Sequence, residues 1–351
     1  MSTGDTTPGH WRLDWPTSDG RVGRAQLKSA PEDFRVEEVL AVSELIPGEG
    51  EHLCLCLEKK GDNTEFVARQ LARMAGCRSF DVGFCGLKDR HAVTTQWFSL
   101  YRPGMEASDD DFIREVAGHW RVLDSGRAPR KLRRGEHSAN RFTIVLRNVG
   151  GQKPEIDAAL HRLGEQGAPN YFGPQRFGHD GGNLDRALKI DPSQLNRRAG
   201  RAKRSARGGR DGSKNVLYFS AARSWLFNEV LAARVSDGSW TTCLPGEPAE
   251  GAASGPTGPM WGDGGTTATD GQETLERDVV KQWPEFERLF AATRMQPERR
   301  PLVVQPQELG WEWQGGDTLQ IRFVLPPGQY ATTMLGDIFE LEDMSLSRHN
   351  E

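Results

Sequence analysis

FDVGFCGLKDRHAVTTQWFSL, residues 80–100, decides the architecture. Phe80, Val82 and Phe84 alternate as in a half-buried strand, GLKDRHA interrupts the pattern, and VTTQWFSL resumes it. Asp89 therefore falls on a tight, glycine-introduced connection between two strands, a usual location for chemistry. Upstream, LCLCL (Leu53 to Leu57) reads as a buried strand. The text becomes strand-like from Leu27, and PEDFRVEEVL sets Phe34, Val36 and Glu38 on one face. Asn63 or Thr64 caps a helix whose apolar stripe is Val67, Leu71 and Met74, and Gly76 stops it. Residues 1–20 read as a poorly ordered leader.

Downstream, a polar loop runs from Arg102 to Asp110, and Phe142, Ile144 and Leu146 alternate in NRFTIVLRN as another strand. ARSWLFNEVLAARV (Ala222 to Val235) has helical spacing, and the Gly-, Pro- and Thr-rich stretch from Pro245 to Gly271 reads as loop or flap. TLQIRFVL is a strand, followed by a PPG turn and a helix from Ala331. No internal repeat is visible. Strands before residue 150, a helix-rich middle and a closing strand and helix predict an α+β fold with an inserted domain.

The chain has 351 residues, enough for two or three domains, with 36% apolar and 27% charged residues. No apolar run approaches the roughly 20 residues of a membrane helix, and the N-terminus lacks the pattern of a secretory signal. Five cysteines, odd in number and irregularly spaced, argue against a disulfide scaffold and for a reduced, cytoplasmic setting. The net charge of −4 conceals a basic stretch from Arg121 to Lys214, with 21 Lys/Arg against 9 Asp/Glu. Within it crowd Arg197, Arg198, Arg201, Lys203, Arg204, Arg207, Arg210 and Lys214. That segment suits either a solvated loop or an arm that orders on RNA.

Cys54 and Cys56 lack the paired spacing and the neighbouring histidine that four zinc ligands require, so they read as buried cysteines and no metal is expected. No Walker loop, GxGxxG after a strand, GxSxG elbow or HExxH is present. The Asp89/His91 pair is compatible with acid–base hydrolysis. Asp89 also lies between Lys88 and Arg90, whose charges favour an ionised carboxylate able to act as nucleophile or base. A surface turn of mixed charge is the bland alternative, as a core strand position is for Phe142.

GLKDRHAVTTQWF resembles the signature of the TruD family of tRNA pseudouridine synthases, whose catalytic Asp occupies the place of Asp89. PEDFRVEE resembles the family's N-terminal element, with Glu32, Phe34, Val36 and Glu38 in register, and Asn140 and Phe142 match its NxF element. NYFGPQRFG (170–178), GGN (181–183), SAARSWLFNEVLAARV, GPMWG, ERRPL and LPPGQYATTMLGDIF follow in family order, so the likeness spans about residues 27–341.

The resemblance implies an isomerase converting a tRNA uridine to pseudouridine, for bacterial members of this size uridine-13 in the D arm of tRNA-Glu, without a cofactor. It implies a pseudouridine synthase core of mixed, mostly antiparallel sheet at residues 1–164 and 311–351. A TRUD insertion domain of α/β type would occupy 165–310, the two lobes forming a cleft. Asp89 is the implied catalytic residue. Phe142 would stack on the uracil and Asn140 would orient the base or Asp89, with Phe34, Lys88 and Arg90 as further substrate contacts. A basic residue is expected beside Asp89, and Lys88, Arg90, Lys59 and Lys60 compete for that place. The partner is tRNA, with Arg197, Arg198, Arg201, Lys203, Arg204 and Arg207 on its phosphates, and a monomer is expected. A non-catalytic RNA-folding protein on the same scaffold is the alternative, and it would not need Asp89.

Overall fold

The computed structural model describes residues 11–191, 211–248 and 255–347. Its strands in chain order are β1 (Gly23–Leu27), β2 (Phe34–Val39), β3 (His52–Lys60), β4 (Gly83–Phe84), β5 (Val93–Tyr101), β6 (Arg121–Ala128) and β7 (Ala139–Gly151). There follow β8 (Ala168–Pro169), β9 (Thr257–Met260), β10 (Glu298–Pro301), β11 (Val303–Val304), β12 (Gln307–Trp313), β13 (Leu319–Leu325) and β14 (Phe339–Asp343). The residues divide into two compact units. One holds the N-terminal segment to Arg21, Glu165–Gln305 and Thr332–Ile338; the other holds Val22–Gly164, Pro306–Ala331 and the C-terminal segment from Phe339.

The second unit is built on a ten-stranded sheet with the path β12-β13-β7-β2-β5-β3-β6, to which β1, β14 and β4 add. Only β1–β14 and β2–β5 run parallel, so the sheet is mixed and mostly antiparallel. Strand β3 is apolar on both faces because both are covered. Leu53, Leu55 and Leu57 pack with Val67 and Leu71 of the helix Thr64–Met74 and with Phe112 and Val116 of the helix Asp109–Ala117. Cys54 and Cys56 face the other way, among Cys85, Trp97, Ala128 and Leu132. Burial pushes all three of these thiols up to about 12, which keeps them protonated and inert. Each buried leucine contributes about 1.5–3 kcal/mol by leaving water.

The helix Thr64–Met74 begins where its cap predicts: Asn63 Oδ1 accepts the Phe66 N–H at 2.8 Å. Gly76, at φ 63°, follows its end. The strand expected from Phe80 through Phe84 forms only at Gly83–Phe84, and Ser79–Asp81 is a 3₁₀ turn. Phe80 is 62% exposed with the Arg78 guanidinium 4.0 Å over its ring, whereas Val82 and Phe84 pack on the core, so only the last two members of the alternation face inward. Gly83 is where β4 meets its neighbours most closely, since a Cβ there would lie 2.4 Å from the Leu132 carbonyl oxygen.

The first unit is mainly helical, with two short antiparallel pairs, β9–β10 and β8–β11. Strand β9 lies inside the stretch expected to be loop, because Thr257 to Pro301 and Met260 to Glu298 pair in register. The helix Asp211–Ser236 buries Trp225, Leu226, Phe227, Val230 and Leu231. Its Asn228 side chain bonds both the N–H and the carbonyl of Phe172 at 2.9 Å. Residues 11–20 of the leader are held in place, contrary to the expectation from its polarity. Trp11 donates to Asp185 Oδ1 at 2.8 Å and packs 4.8 Å from Trp225, while Trp15 stacks on Tyr171 at 5.7 Å. Two indoles offset the entropy of ordering a segment that is otherwise polar.

Candidate active site

Strand β1 ends at Leu27, and Lys28 adopts φ 57°, the left-handed region that turns the chain toward β2. The turn is fixed from below by buried Asp33, which accepts the Ala30 N–H at 2.8 Å and both Arg147 guanidinium donors at 2.8 and 2.6 Å. So held, the buried Lys28 side chain reaches the β4–β5 connection. Its Nζ lies 2.6 Å from Asp89 Oδ2 and 3.3 Å from Asp343 Oδ2, with the Phe34 ring 4.9 Å beneath it. The His91 N–H donates to Asp89 Oδ1 at 2.9 Å.

Burial pushes the Asp89 carboxyl upward, but the Lys28 hydrogen bond and charge and the His91 N–H outweigh it and hold the group below the usual carboxylate range. Its side chain remains 34% exposed. The result is an ionised, oriented carboxylate with access to a substrate.

None of the four competing cations holds Asp89. Lys88 points into the core, where Nζ donates to Glu38 Oε1 at 2.7 Å with both side chains buried. Glu38 also accepts the Trp97 N–H at 3.2 Å, and His137 is buried nearby. Burial, then the Lys88 charge, hold the His137 imidazole below its usual range. Lys60 pairs with Glu32, and Lys59 Nζ donates to the Asp62 carbonyl at 2.8 Å. Burial pushes Lys59 down to about 8. Arg90 is exposed beside Asp89.

The buried ion pair between Lys88 and Glu38 anchors the β4–β5 connection rather than pairing with Asp89. Lys88→Met strands a carboxylate that has no exposed surface, so unfolding in urea should show a loss of about 3–5 kcal/mol. Adding Glu38→Gln to that variant should recover most of the loss, since the uncompensated charge is then gone.

Asn140, Phe142 and Phe34 come together on the same face of the sheet. Strand β7 pairs Phe142 with Val36 of β2 and with Phe323 of β13, and it pairs Asn140 with Glu38. Phe142 stacks on Phe323 at 5.2 Å and meets Phe34 edge-on at 6.1 Å. Phe142 and Phe34 are both buried. Asn140 Oδ1 is buried and accepts no hydrogen bond among the described residues. Arg197, Arg198, Arg201, Lys203, Arg204 and Arg207 lie outside the described residues.

Sequence reasoning missed Lys28. Its partner is 61 residues away, and its neighbours carry no motif beyond the strand end and the PED turn. Among the described residues no group of three or more His, Cys, Asp or Glu is arranged to hold a metal ion. No helix among them is long and apolar enough to cross a membrane.

A family model for tRNA pseudouridine synthase D (TruD) matches residues 16–184, the span holding Lys28, Asp89, Asn140 and Phe142. The tRNA pseudouridine synthase D of Marinobacter nauticus is 64% identical over 97% of this chain and 98% of its own. That of Pseudomonas entomophila is 41% identical over 92% and 94%. In three dimensions, a Methanosarcina mazei chain assigned to the same synthase superposes with a TM-score of 0.64 over 92% of this chain and 95% of its own. At 21% identity it shares the fold.

Proposed function

The chain belongs to the TruD family of tRNA pseudouridine synthases, isomerases acting on tRNA, and from that premise we propose that it converts uridine-13 in the D arm of tRNA-Glu with Asp89 as the reacting group. The observation that carries this reading is the Lys28–Asp89 pair: a carboxylate kept ionised at 2.6 Å from a buried ammonium yet still open to solvent. A carboxylate that must begin glycosidic cleavage has to be charged before the substrate arrives, and here the protein supplies the counter-charge in advance.

In the reaction the N1–C1′ bond breaks, the uracil rotates, and C5 bonds to C1′. The proton leaving C5 is balanced by the one N1 gains, so no redox partner or group donor is needed. Asp89 starts the sequence either by attacking C1′ or by removing the C2′ proton. Deuterium at C2′ separates the two, because only proton removal gives a primary isotope effect. Asn140 Oδ1, a buried acceptor with no partner among the described residues, suits the N3–H of uracil, and the Phe142–Phe323 stack lines the same face for the base. Asp89 with His91 as a hydrolytic pair is disfavoured because the family to which the chain belongs consists of isomerases acting on tRNA.

In this reading the unit with the large sheet is the catalytic domain, and the unit that holds Glu165–Gln305 together with the segments up to Arg21 and Thr332–Ile338 carries the TRUD insertion expected at 165–310. The arginine-rich segment from Arg197 to Lys214 grips tRNA phosphates, which offsets the cost of extruding the target nucleotide. With tRNA as substrate the enzyme works in the cytoplasm, as a monomer. Single-turnover reaction of the wild type with unmodified tRNA-Glu transcript should give a carbodiimide-dependent primer-extension stop at uridine-13. Tight binding with no stop on any tRNA would move the reading to an RNA-folding protein.

A further inference from the structure

Leu87 is 60% exposed although both of its chain neighbours are held by hydrogen bonds. On one side the Gly86 carbonyl accepts Gln96 Nε2 at 2.6 Å. On the other, the Lys88 N–H donates to Thr64 Oγ1 at 2.9 Å, and that hydroxyl in turn donates to Gln96 Oε1 at 2.9 Å. The Lys88 side chain is buried on Glu38. The backbone is thus nailed down before and after Leu87, and the apolar side chain between is directed to solvent.

Two residues further on stands Asp89, and a chain of two residues spans at most about 7 Å. Stacked nucleotides are about 3.4 Å apart along a strand. An apolar side chain this close to the reacting carboxylate is therefore within one or two base steps of a nucleotide whose sugar lies against Asp89. Leucine is among the side chains that enter base stacks as wedges, because the gap between bases is apolar and offers its faces no hydrogen bonds. Arg90, exposed on the other side of Asp89, suits the phosphate of the same strand.

We propose that Leu87 is a wedge that fills the stack vacated by the target uridine and so holds the flipped nucleotide at Asp89. The inference rests on the reading of Asp89 as the group that acts on an extruded uridine. Leu87 is a positioning residue: it bonds to nothing and takes no part in proton transfer.

The test uses the full-length wild type, Leu87→Ala and Leu87→Met. Two tRNA-Glu transcripts are compared, one unmodified and one with an abasic nucleotide opposite the target, so that the target is already loosened. On the unmodified transcript Leu87→Ala should lower the single-turnover rate roughly 10- to 100-fold, the scale set by the cost of unstacking one base. On the loosened transcript the variant should approach the wild-type rate, and Leu87→Met, long enough to fill the gap, should behave as wild type on both. A 2-aminopurine beside the target should brighten on binding wild type and not on binding Leu87→Ala. Equal rates for wild type and Leu87→Ala on the unmodified transcript would overturn the wedge, as would equal losses on both transcripts, which mark a general structural defect. If the wild type forms no pseudouridine on any tRNA, the reading of Asp89 fails instead, and the fluorescence arm still decides whether Leu87 enters the stack.

Discussion

Asp89→Asn should abolish pseudouridine formation, lowering the single-turnover rate by at least roughly 10³-fold, while leaving the protein folded and bound to tRNA. The scale follows from removing the one group asked to begin bond cleavage. The fold should survive because the amide oxygen still accepts the His91 N–H, and Lys28 keeps a second carboxylate, Asp343, at 3.3 Å. What the amide lacks is negative charge, and with it both the nucleophile for C1′ and the base for C2′. Thermal unfolding and a tRNA dissociation constant close to wild type, measured beside the rate, separate a chemical defect from a structural one. A variant that still turned over at the wild-type rate would remove Asp89 from the mechanism.

Lys28→Met carries the second large effect, and its mark is a pH profile. With Lys28 present, the Asp89 carboxyl lies below its usual value, so it is ionised throughout the neutral range. Without it, burial is no longer outweighed, and Asp343 adds a second negative charge to the site. The acid limb of the rate profile should move to higher pH, with a loss of about 100-fold near neutrality that shrinks as the pH rises. Lys28→Arg should restore the acid limb but not the full rate, since a planar fork does not reproduce a point charge over Phe34. An acid limb that stays where it is in Lys28→Met would mean that another group sets the charge of Asp89.

Stability should follow the same linkage. A carboxyl whose pKa is depressed in the folded state stabilises above its unfolded value and loses that contribution as pH falls through the folded one. In Lys28→Met the contribution vanishes, so wild type and variant should converge at strongly acid pH. At pH 7 the gap should be about 2–3 kcal/mol, smaller than for a fully buried pair because Asp89 is a third exposed.

Much of the fold was legible from local pattern. LCLCL, the alternation of Phe142, Ile144 and Leu146, and TLQIRFVL became β3, β7 and β13, and the Asn63 cap set the start of its helix. Periodicity and capping are effects within a few residues, so the chain displays them directly. The same signal misled at Phe80, which turns to solvent although Val82 and Phe84 of the same alternation pack on the core, and in the leader, where two tryptophans outweigh a polar composition.

The sequence by itself also marked the loop that presents Asp89 and the family to which the chain belongs, because a run such as GLKDRHAVTTQWF is specific before it is folded. It could not choose the cation. Lys88 and Arg90 are adjacent in the chain, but the side chain of Lys88 is consumed by Glu38, 50 residues earlier. The ammonium that meets Asp89 comes from Lys28, turned toward it by a left-handed residue conformation and by the clamp of Arg147 on buried Asp33. An ion pair depends on a separation of a few ångströms in space. Which charges come that close was decided when β1, β2 and β5 were brought into one sheet.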